Sequence, residues 1–339
     1  MDNEASLTPI REAHAFDKNA LSKYLSTQLD LDFSGMNTQQ FEGGQSNPTF
    51  MIENLGTKYV MRKKPPGKLL KSAHAVEREY RIMHALRDTE VPVPKMHHLC
   101  EDDPIIGTPF YLMECVEGRM CSDPHLEEFT PVDRRALFDN ALGVMAALHK
   151  VDVDAVGLSD YGRPGNYYAR QISRWTRQYV DSKTSEIEGM EKLMKWLPEN
   201  TPESEESGIV HGDFRTGNFI IDMAEPRIVA VLDWELSTLG HPLADLAHFI
   251  TYANNAHAEG VDPTIPQEQE IVDTYCKHSG RPGIKNFNFY MVFSIFRMAA
   301  IGQGVYKRGL EGNASSQFWE RAGKSVPPQA DRACDLAGI

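Results

Sequence analysis

The stretch "VHGDFRTGNFIID" (residues 210–222) places a polar core between two apolar runs. The core holds a carboxylate, Asp213, and a carboxamide, Asn218. The apolar run 219–221 follows at once and predicts a buried strand, because strands favour apolar and β-branched side chains. Two polar side chains directly before a buried strand predict a loop that is placed for chemistry.

The same stretch begins a strand–turn–strand unit, "NFIIDMAEPRIVAVLDW" (218–234), which turns at "AEP". Since a hairpin brings its two ends together, Asn218 and Asp233 are expected to lie close in space. Their carboxamide and carboxylate oxygens suit Mg²⁺, which prefers hard oxygen ligands and keeps several waters. Asp213 would then meet a substrate hydroxyl and Arg215 would neutralise charge on the transferred group, as in phosphoryl transfer. The alternative is a turn whose Asp and Asn bind local backbone groups.

Composition narrows the class of protein. With 339 residues the chain can form one large domain or two lobes. Its net charge of −13 argues against binding to nucleic acid or to an anionic membrane surface. Five cysteines without a C-x-x-C pair predict a reducing compartment, no disulfide framework and no zinc site. The N-terminus does not resemble a signal peptide, and the apolar segment 288–306 carries Arg297, so the predicted location is cytoplasmic.

The order of predicted elements indicates an α+β protein. Segments 49–56 and 58–64 predict strands joined at Gly56, and 110–118 predicts another. Helical spacing in 72–88 predicts a helix with Ser72 as its N-cap. Long helices are predicted over 131–150, 166–181, 188–197, 242–256, 267–278 and 287–310. The predicted parts are a β-rich N-terminal lobe (1–113), a hinge (114–118) and a helical C-terminal lobe (119–339).

The string "HGDFRTGN" followed by "VLDWELSTLGHPLADLA" resembles the aminoglycoside phosphotransferase family of the kinase-like superfamily. In particular it is similar to the kinase-like domain that some proteins carry fused to an acyl-CoA dehydrogenase. The resemblance implies a bilobal protein-kinase-like fold, with a small antiparallel sheet and one helix in the first lobe. It also implies ATP-dependent phosphorylation of a small-molecule hydroxyl, with Asp213 as base and Asn218 and Asp233 holding Mg²⁺. Asp245 would brace the catalytic loop, and its alternative is a surface charge.

Two upstream segments fit ATP binding. Glycines in "FEGGQSNPTF" (41–50) would let bare backbone approach phosphates, although a Gly-Gly pair is also common in ordinary turns. The residues assigned to this loop are Gly43, Gly44, Ser46 and Asn47. The segment "LMECVEG" (112–118) resembles the family's hinge, where backbone groups of Glu114 and Val116 would hold adenine.

Glu79 lies on the inward face of its predicted helix, and a buried carboxylate needs a cationic partner. The family supplies a strand lysine there, whereas this chain has Arg62, followed by Lys63 and Lys64. Strand alternation points Arg62 and Lys64 to one face and Lys63 to the other. Arg62 is the predicted partner, because arginine binds carboxylate or phosphate through two parallel bonds, and Lys64 is the alternative. The replacement also leaves open a catalytically weak, nucleotide-sensing pseudokinase.

The segment "YYARQISRWTRQY" (167–179) contains the residues that bear on the identity of the substrate. Arg170, Arg174 and Arg177 share one face of the predicted helix. We name this face the arginine stripe; it is either a solvated surface or a site for an anionic substrate. The resemblance to the dehydrogenase-fused domains implies a hydroxy acid or a hydroxyacyl-CoA as the substrate, which an anionic site would suit, with an aminoglycoside antibiotic as the alternative. The resemblance further implies a separate acyl-CoA dehydrogenase as partner.

Overall fold

The computed structural model describes residues 6–42, 47–67, 74–121, 123, 126–163, 165–203, 206–255, 265–313 and 318–339. Among these residues, no helix combines the length and the apolar composition that crossing a bilayer requires. All five cysteines are free thiols.

An antiparallel sheet dominates the first part of the chain. Its strands are β1 (Leu7–Thr8), β2 (Asn37–Phe41), β3 (Thr49–Asn54), β4 (Thr57–Lys63), β5 (Met96–Cys100) and β6 (Phe110–Glu114). They are ordered β1-β2-β3-β4-β6-β5. Helix α1 (Lys18–Leu29) buries Leu21 and Leu25 in the same apolar core as Phe50 and Ile52 of β3. Arg62 lies on the face of β4 that points away from this core.

Helix α2 (Val76–Leu86) buries Glu79 together with Val76, Met83 and Leu86, as its spacing predicts. The helix begins later than expected, because its N-cap position is Ala75. The predicted N-cap, Ser72, lies outside the described residues. The helices α1 and α3 (Asp103–Ile106) also lie within the first 113 residues and were not predicted.

Two smaller sheets carry the loop that the opening sequence defines. Strands β9 (Phe219–Ile221) and β10 (Ile228–Val231) form the predicted hairpin, and β7 (Arg119–Met120) pairs with β9. Asp222 Oδ1 accepts the backbone N–H groups of Ala224 and Glu225 in its turn. Strands β8 (Gly208–Val210) and β11 (Thr238–Gly240) form the second sheet.

The predicted long helices are confirmed within two residues at each end. They are α4 (Pro131–Lys150), α5 (Tyr167–Ser182), α6 (Glu188–Glu199), α7 (Leu243–Asn255), α8 (Glu268–Ser279) and α9 (Phe287–Leu310). A further helix, α10 (Trp319–Ala337), was not predicted and packs against α9 and α6.

The chain divides into two compact units. The first comprises Met1–Val144, Asp154–Leu158 and Thr216–Ser237, and the second comprises Met145–Val153, Ser159–Arg215 and Thr238–Ile339. The hairpin β9–β10 thus belongs to the same unit as the large sheet and the first part of α4, and not to the unit of the later helices. The lobe bounds derived from the sequence stay a prediction.

Candidate functional site

The catalytic loop, defined as His211–Asp213, follows β8 in the second unit. Asp245 in α7 accepts the backbone N–H of His211 at 2.7 Å and that of Gly212 at 2.8 Å. Gly212 has a φ of 83°, a conformation that glycine adopts without strain. Asp245 is completely buried, so the alternative of a surface charge is wrong and the expected brace is present.

The Asp245 carboxylate keeps its charge in spite of its burial. Burial alone would raise its pKa, but His149, whose Nε2 lies 3.4 Å away, and the loop N–H groups together lower the pKa. His149 is itself held through Nδ1, which lies 2.8 Å from the hydroxyl of Tyr275. An ionised carboxylate therefore holds the loop backbone.

Asp213 lies at the end of this loop with its side chain 22% exposed. Its Oδ1 is 3.0 Å from Nε2 of His248, and its Oδ2 accepts Nε of Arg215 at 3.0 Å. Arg215 also donates through Nη1 to the Tyr252 hydroxyl at 3.4 Å, and its guanidinium lies over that ring. The carboxylate is thus oriented on both oxygens and remains open to solvent.

Two buried residues of this site were missed from the sequence. His248 follows Asp245 by one helical turn on α7, a spacing that could have signalled a shared face. Arg297, read only as a charge inside an apolar helix, donates through Nη2 to the Gly212 carbonyl at 2.7 Å. A buried cation needs a partner, so its position in α9 was the available signal.

Arg62 in the first unit contacts two carboxylates, of which the sequence predicted Glu79 and did not predict Asp233. Its Nε lies 3.4 Å from Glu79 Oε2, and its Nη2 donates to Asp233 Oδ1 at 2.8 Å. Lys64 instead pairs with Glu77 at 2.8 Å, and buried Lys63 points to the opposite face, over Phe16. The prediction of Arg62 as the Glu79 partner is confirmed.

Besides its ion pair with Arg62, Glu79 accepts hydrogen bonds from two side chains. Asn47 donates from Nδ2 to Oε1 at 2.9 Å, and Tyr111 donates from its hydroxyl to Oε2 at 3.2 Å. Burial raises the pKa of Glu79 to about 7, although Arg62 opposes this shift. For Arg62, burial favours a lower pKa, but Glu79 and Asp233 raise the pKa above its ordinary value.

The structure describes only part of the loop that the sequence assigned to phosphate binding. Gly43, Gly44 and Ser46 lie outside the described residues. The side chain of Asn47 is used within the protein, since its Oδ1 lies 3.1 Å from Nδ1 of His74. At the hinge, the N–H of Glu114 donates to the Lys95 carbonyl at 2.8 Å. A nucleotide would therefore use other backbone groups of Glu114 and Val116, and these assignments stay predictions.

Asn218 and Asp233 flank one end of the hairpin, because the N–H of Leu232 donates to the Asn218 carbonyl at 2.8 Å. Asp233 has a φ of 66°, which is unusual for a residue with a side chain and is common at functional sites. An Asn and an Asp oxygen fit Mg²⁺, which takes few protein ligands and keeps waters. Groups of three or more His, Cys, Asp or Glu suited to a metal are absent from the described residues.

The arginine stripe lies on α5 in the second unit. Arg170, Arg174 and Arg177 line one concavity of about 620 Å³ together with Ser173, Gln178 and Asp181. The expected shared face is confirmed. Arg170 is partly tied down, since its Nη2 donates to the Arg163 carbonyl at 2.6 Å. A substrate role for the stripe stays a prediction.

Comparison with known proteins gives concordant results. The family model of the phosphotransferase enzyme family (APH) matches residues 37–281. The chain is 44% identical over 340 residues to acyl-CoA dehydrogenase family member 10 of Mus musculus, covering 97% of this chain and 32% of that protein. The chain spans less than half the length of the curated relatives it matches.

Solved structures agree on the fold. A Ralstonia eutropha JMP134 protein, assigned to the aminoglycoside phosphotransferases, is 43% identical with a TM-score of 0.87, covering 96% of this chain and 99% of that chain. The phosphotransferase APH(4)-Ia, solved with ADP and hygromycin B, is 15% identical with a TM-score of 0.62, covering 94% and 98%. This second likeness shows the fold alone, and the predicted kinase-like fold is confirmed.

Proposed function

The chain belongs to the phosphotransferase enzyme family, and we propose on this premise that it transfers the γ-phosphoryl group of ATP to a hydroxyl of a small molecule, with Mg²⁺ as cofactor. The observation that carries the proposal is the orientation of Asp213. Its carboxylate lies on a braced loop, is held on both oxygens and is partly open to solvent. A structural turn aspartate does not require these supports.

The proposed reaction places Asp213 beside the acceptor. Its carboxylate takes the hydroxyl proton while the acceptor oxygen forms a bond to the γ-phosphorus and the bond to the ADP oxygen breaks. Arg215, which Asp213 and Tyr252 hold, stabilises charge on the transferred group. The Asp245 brace keeps the loop backbone fixed, so that little reorganisation accompanies the transfer.

The first unit supplies the groups for the nucleotide. Asn218 and Asp233 would hold Mg²⁺, which neutralises phosphate charge when bound. Arg62 contacts Asp233 now and is placed to turn to the phosphates. Glu79 keeps Arg62 near this end of the hairpin, which is the role that the family assigns to a lysine–glutamate pair.

For the acceptor we propose a hydroxy acid or a hydroxyacyl-CoA. The arginine stripe offers three cations along one concavity, and guanidinium groups bind carboxylates and phosphates well. The matched relative from mouse is named an acyl-CoA dehydrogenase, which favours acyl metabolism. The alternative acceptor is an aminoglycoside, which the name of the Ralstonia protein favours and which the net charge of −13 would attract.

A separate acyl-CoA dehydrogenase is the proposed partner, and the cytoplasm is the proposed location. The names of the relatives support the first proposal, and the free cysteines support the second. Purification of the tagged chain from fractionated cells of its source tests both. Recovery from another fraction, or without any dehydrogenase, argues against them.

The first experiment measures ATP-to-ADP turnover with Mg²⁺ and a panel of acceptors: 3- and 4-hydroxyacyl-CoA esters, free hydroxy acids, choline, homoserine and kanamycin. Asp213→Asn should lower kcat by about 10³-fold and leave ATP affinity unchanged, because it removes only the base. Asp222→Asn, in the nearby hairpin turn, is the matched control and should keep full activity. If Asp213→Asn keeps the wild-type turnover, Asp213 is not the base. If the wild type turns over nothing while binding ATP, the nucleotide-sensing pseudokinase is favoured.

The same panel tests the acceptor class. If an acyl substrate is used, Arg174→Gln should raise its KM by about tenfold, because one charge-assisted hydrogen bond contributes about 1.5 kcal/mol or more. Arg87→Gln removes an exposed arginine from outside the stripe and should change nothing. Turnover confined to kanamycin would reject the acyl proposal and identify an antibiotic kinase.

A further inference from the structure

His248 is a buried histidine in contact with the proposed base, Asp213. The ring is buried, its side chain only 4% exposed, and its Nε2 lies 3.0 Å from Asp213 Oδ1. Within the described part of the chain, its Nδ1 is buried and has no hydrogen-bond partner. The imidazole thus makes one polar contact, and that contact is with the proposed base.

The tautomer follows from the chemistry of the two groups. An ionised carboxylate accepts hydrogen bonds and cannot donate them, so Nε2 must carry the proton. A second proton on Nδ1 would be buried without an acceptor, which is costly. The neutral ring with its proton on Nε2 is therefore the form that fits.

The charges around the ring favour this form. Arg297, behind the catalytic loop, disfavours a cationic imidazole, whereas Asp213 and Asp245 favour one. Burial is the largest influence and, with Arg297, lowers the pKa of His248 below its ordinary value. Arg215 lies on the far oxygen of Asp213 and adds positive charge there.

Without His248, Arg215 could take both carboxylate oxygens. A guanidinium and a carboxylate prefer two parallel hydrogen bonds, and here Nε of Arg215 donates to Oδ2 while Nε2 of His248 lies at Oδ1. A donor on Oδ1 opposes rotation of the carboxylate towards Arg215. The plane of the base is thus set by two donors on opposite oxygens.

We propose that His248 is a positioning residue that, as a neutral Nε2–H donor, holds the Asp213 carboxylate in the orientation needed to receive the substrate proton. The proposal rests on the proposed phosphotransferase function, and it adds a residue that acts through the base without touching the substrate.

The kinetic test compares His248→Leu with His248→Gln in ATP-to-ADP turnover, using the panel acceptor that the wild type accepts. Loss of the donor should lower kcat by about 30-fold and change KM by less than about twofold, since misorientation of a reacting group affects the transition state. The acid limb of the kcat profile should move up by roughly half a unit to one unit, because the carboxylate loses a stabilising donor. Glutamine can donate from a similar position and should restore kcat to within about fivefold of the wild type.

The control is His241→Leu. His241 is also buried, but it packs against Tyr168 and Tyr290 and accepts the N–H of Leu243. This variant should lower the melting temperature and leave the acid limb in place. Equal losses in the Leu and Gln variants of His248, or an unmoved acid limb, would overturn the proposal.

A second measurement does not depend on turnover. Nitrogen-15 NMR of the 339-residue chain reports which ring nitrogen carries the proton, and His248→Gln assigns the signal. We expect a neutral ring protonated on Nε2 at pH 7.5, with faster Nε2–H exchange in Asp213→Ala. A proton on Nδ1, a charged ring at pH 7.5, or exchange that Asp213→Ala does not alter would overturn the proposal. If the wild type makes no ADP with any acceptor, the proposed function fails, and this measurement still decides the role of His248.

Discussion

Arg62 makes one contact that the sequence predicted, with Glu79, and one that it did not, with Asp233. The buried face of α2 indicated that Glu79 needs a cation, the family resemblance placed that cation on this strand, and strand alternation left Arg62 or Lys64 as the candidates. The further bond to Asp233 depends on where the distant hairpin docks, and no local pattern reports that. At this scale the sequence predicts directions of side chains better than their full sets of partners.

The raised pKa of Glu79 leads to a prediction about stability. In the folded protein Glu79 holds its proton up to about pH 7, whereas the unfolded chain releases it near the ordinary value of 4.5. The contribution of this group to stability is therefore greatest below pH 4.5 and falls as the pH rises to about 7. We expect Glu79→Gln to remove this fall. The free energy of unfolding of the wild type, relative to that of the variant, should therefore be lower at pH 7.5 than at pH 4.5 by on the order of 3 kcal/mol.

Urea unfolding of both proteins at several pH values measures this difference. Glu77→Gln is the matched control, because Glu77 lies on the same helix but is partly exposed beside Lys64. Its stability should follow the pH dependence of the wild type. Parallel curves for wild type and Glu79→Gln would show that Glu79 is already ionised at low pH.

At the scale of elements, most of the helices could be derived from sequence and α10 could not. Apolar residues at helical spacing marked α4 to α9, whose buried faces give a strong period. Helix α10 contains Pro327 and Pro328, which remove two donors and argue against a helix in any local reading. It forms because Val326, Ala330 and Ala333 are buried in tertiary packing, which outweighs the local preference. The contact between His248 and Asp213 also depends on tertiary structure, since the spacing of His248 from Asp245 indicates a shared helix face but not the loop residue that this face meets.

The turn between β3 and β4 offers a prediction about an element. Leu55 and Gly56 occupy its two central positions with φ values of 50° and 80°, and Leu55 is 82% exposed. Both central residues of this type of hairpin turn need positive φ, which favours Asn-Gly. We expect Leu55→Asn to stabilise the protein by about 0.5–1 kcal/mol, because it relieves backbone strain without removing a buried contact.

Thermal and urea unfolding measure this gain. Leu31→Asn is the control, since Leu31 is also exposed but does not have a positive φ. It should give no gain. A loss of stability in Leu55→Asn would mean that the leucine makes contacts that outweigh the strain.

At the scale of the whole molecule, the sequence and the structure divide the chain differently. Reading along the sequence assigns residues 216–237 to the helical part, because they follow long helices. Their bonds are made within the first unit. Val231 donates to the carbonyl of Pro92, in the predicted N-terminal lobe. Ile228 donates to Asn140 and Ile221 pairs with Arg119, two residues that the sequence placed in the C-terminal lobe. A linear reading cannot assign a hairpin whose partners precede it by about a hundred residues.

This division predicts how pieces of the chain will fold. The segment 216–237 buries Phe219, Ile221, Val231 and Trp234 in the first unit. A fragment of residues 1–144 lacks these side chains and should leave matching apolar surface exposed, so we expect a poorly ordered, aggregation-prone product. Joining residues 216–237 to it through a Gly/Ser linker of about 20 residues, which reaches roughly 25 Å, should restore order.

Dispersion of the amide NMR spectrum and near-ultraviolet circular dichroism measure that order. The matched control carries the same appended segment with Val231→Asp, which places a charge at a fully buried position and should abolish the rescue. A dispersed spectrum from residues 1–144 alone would contradict the expectation that the segment 216–237 completes the first unit. Rescue by the appended segment would instead show that the hairpin between Asn218 and Asp233 is part of the fold of the first unit.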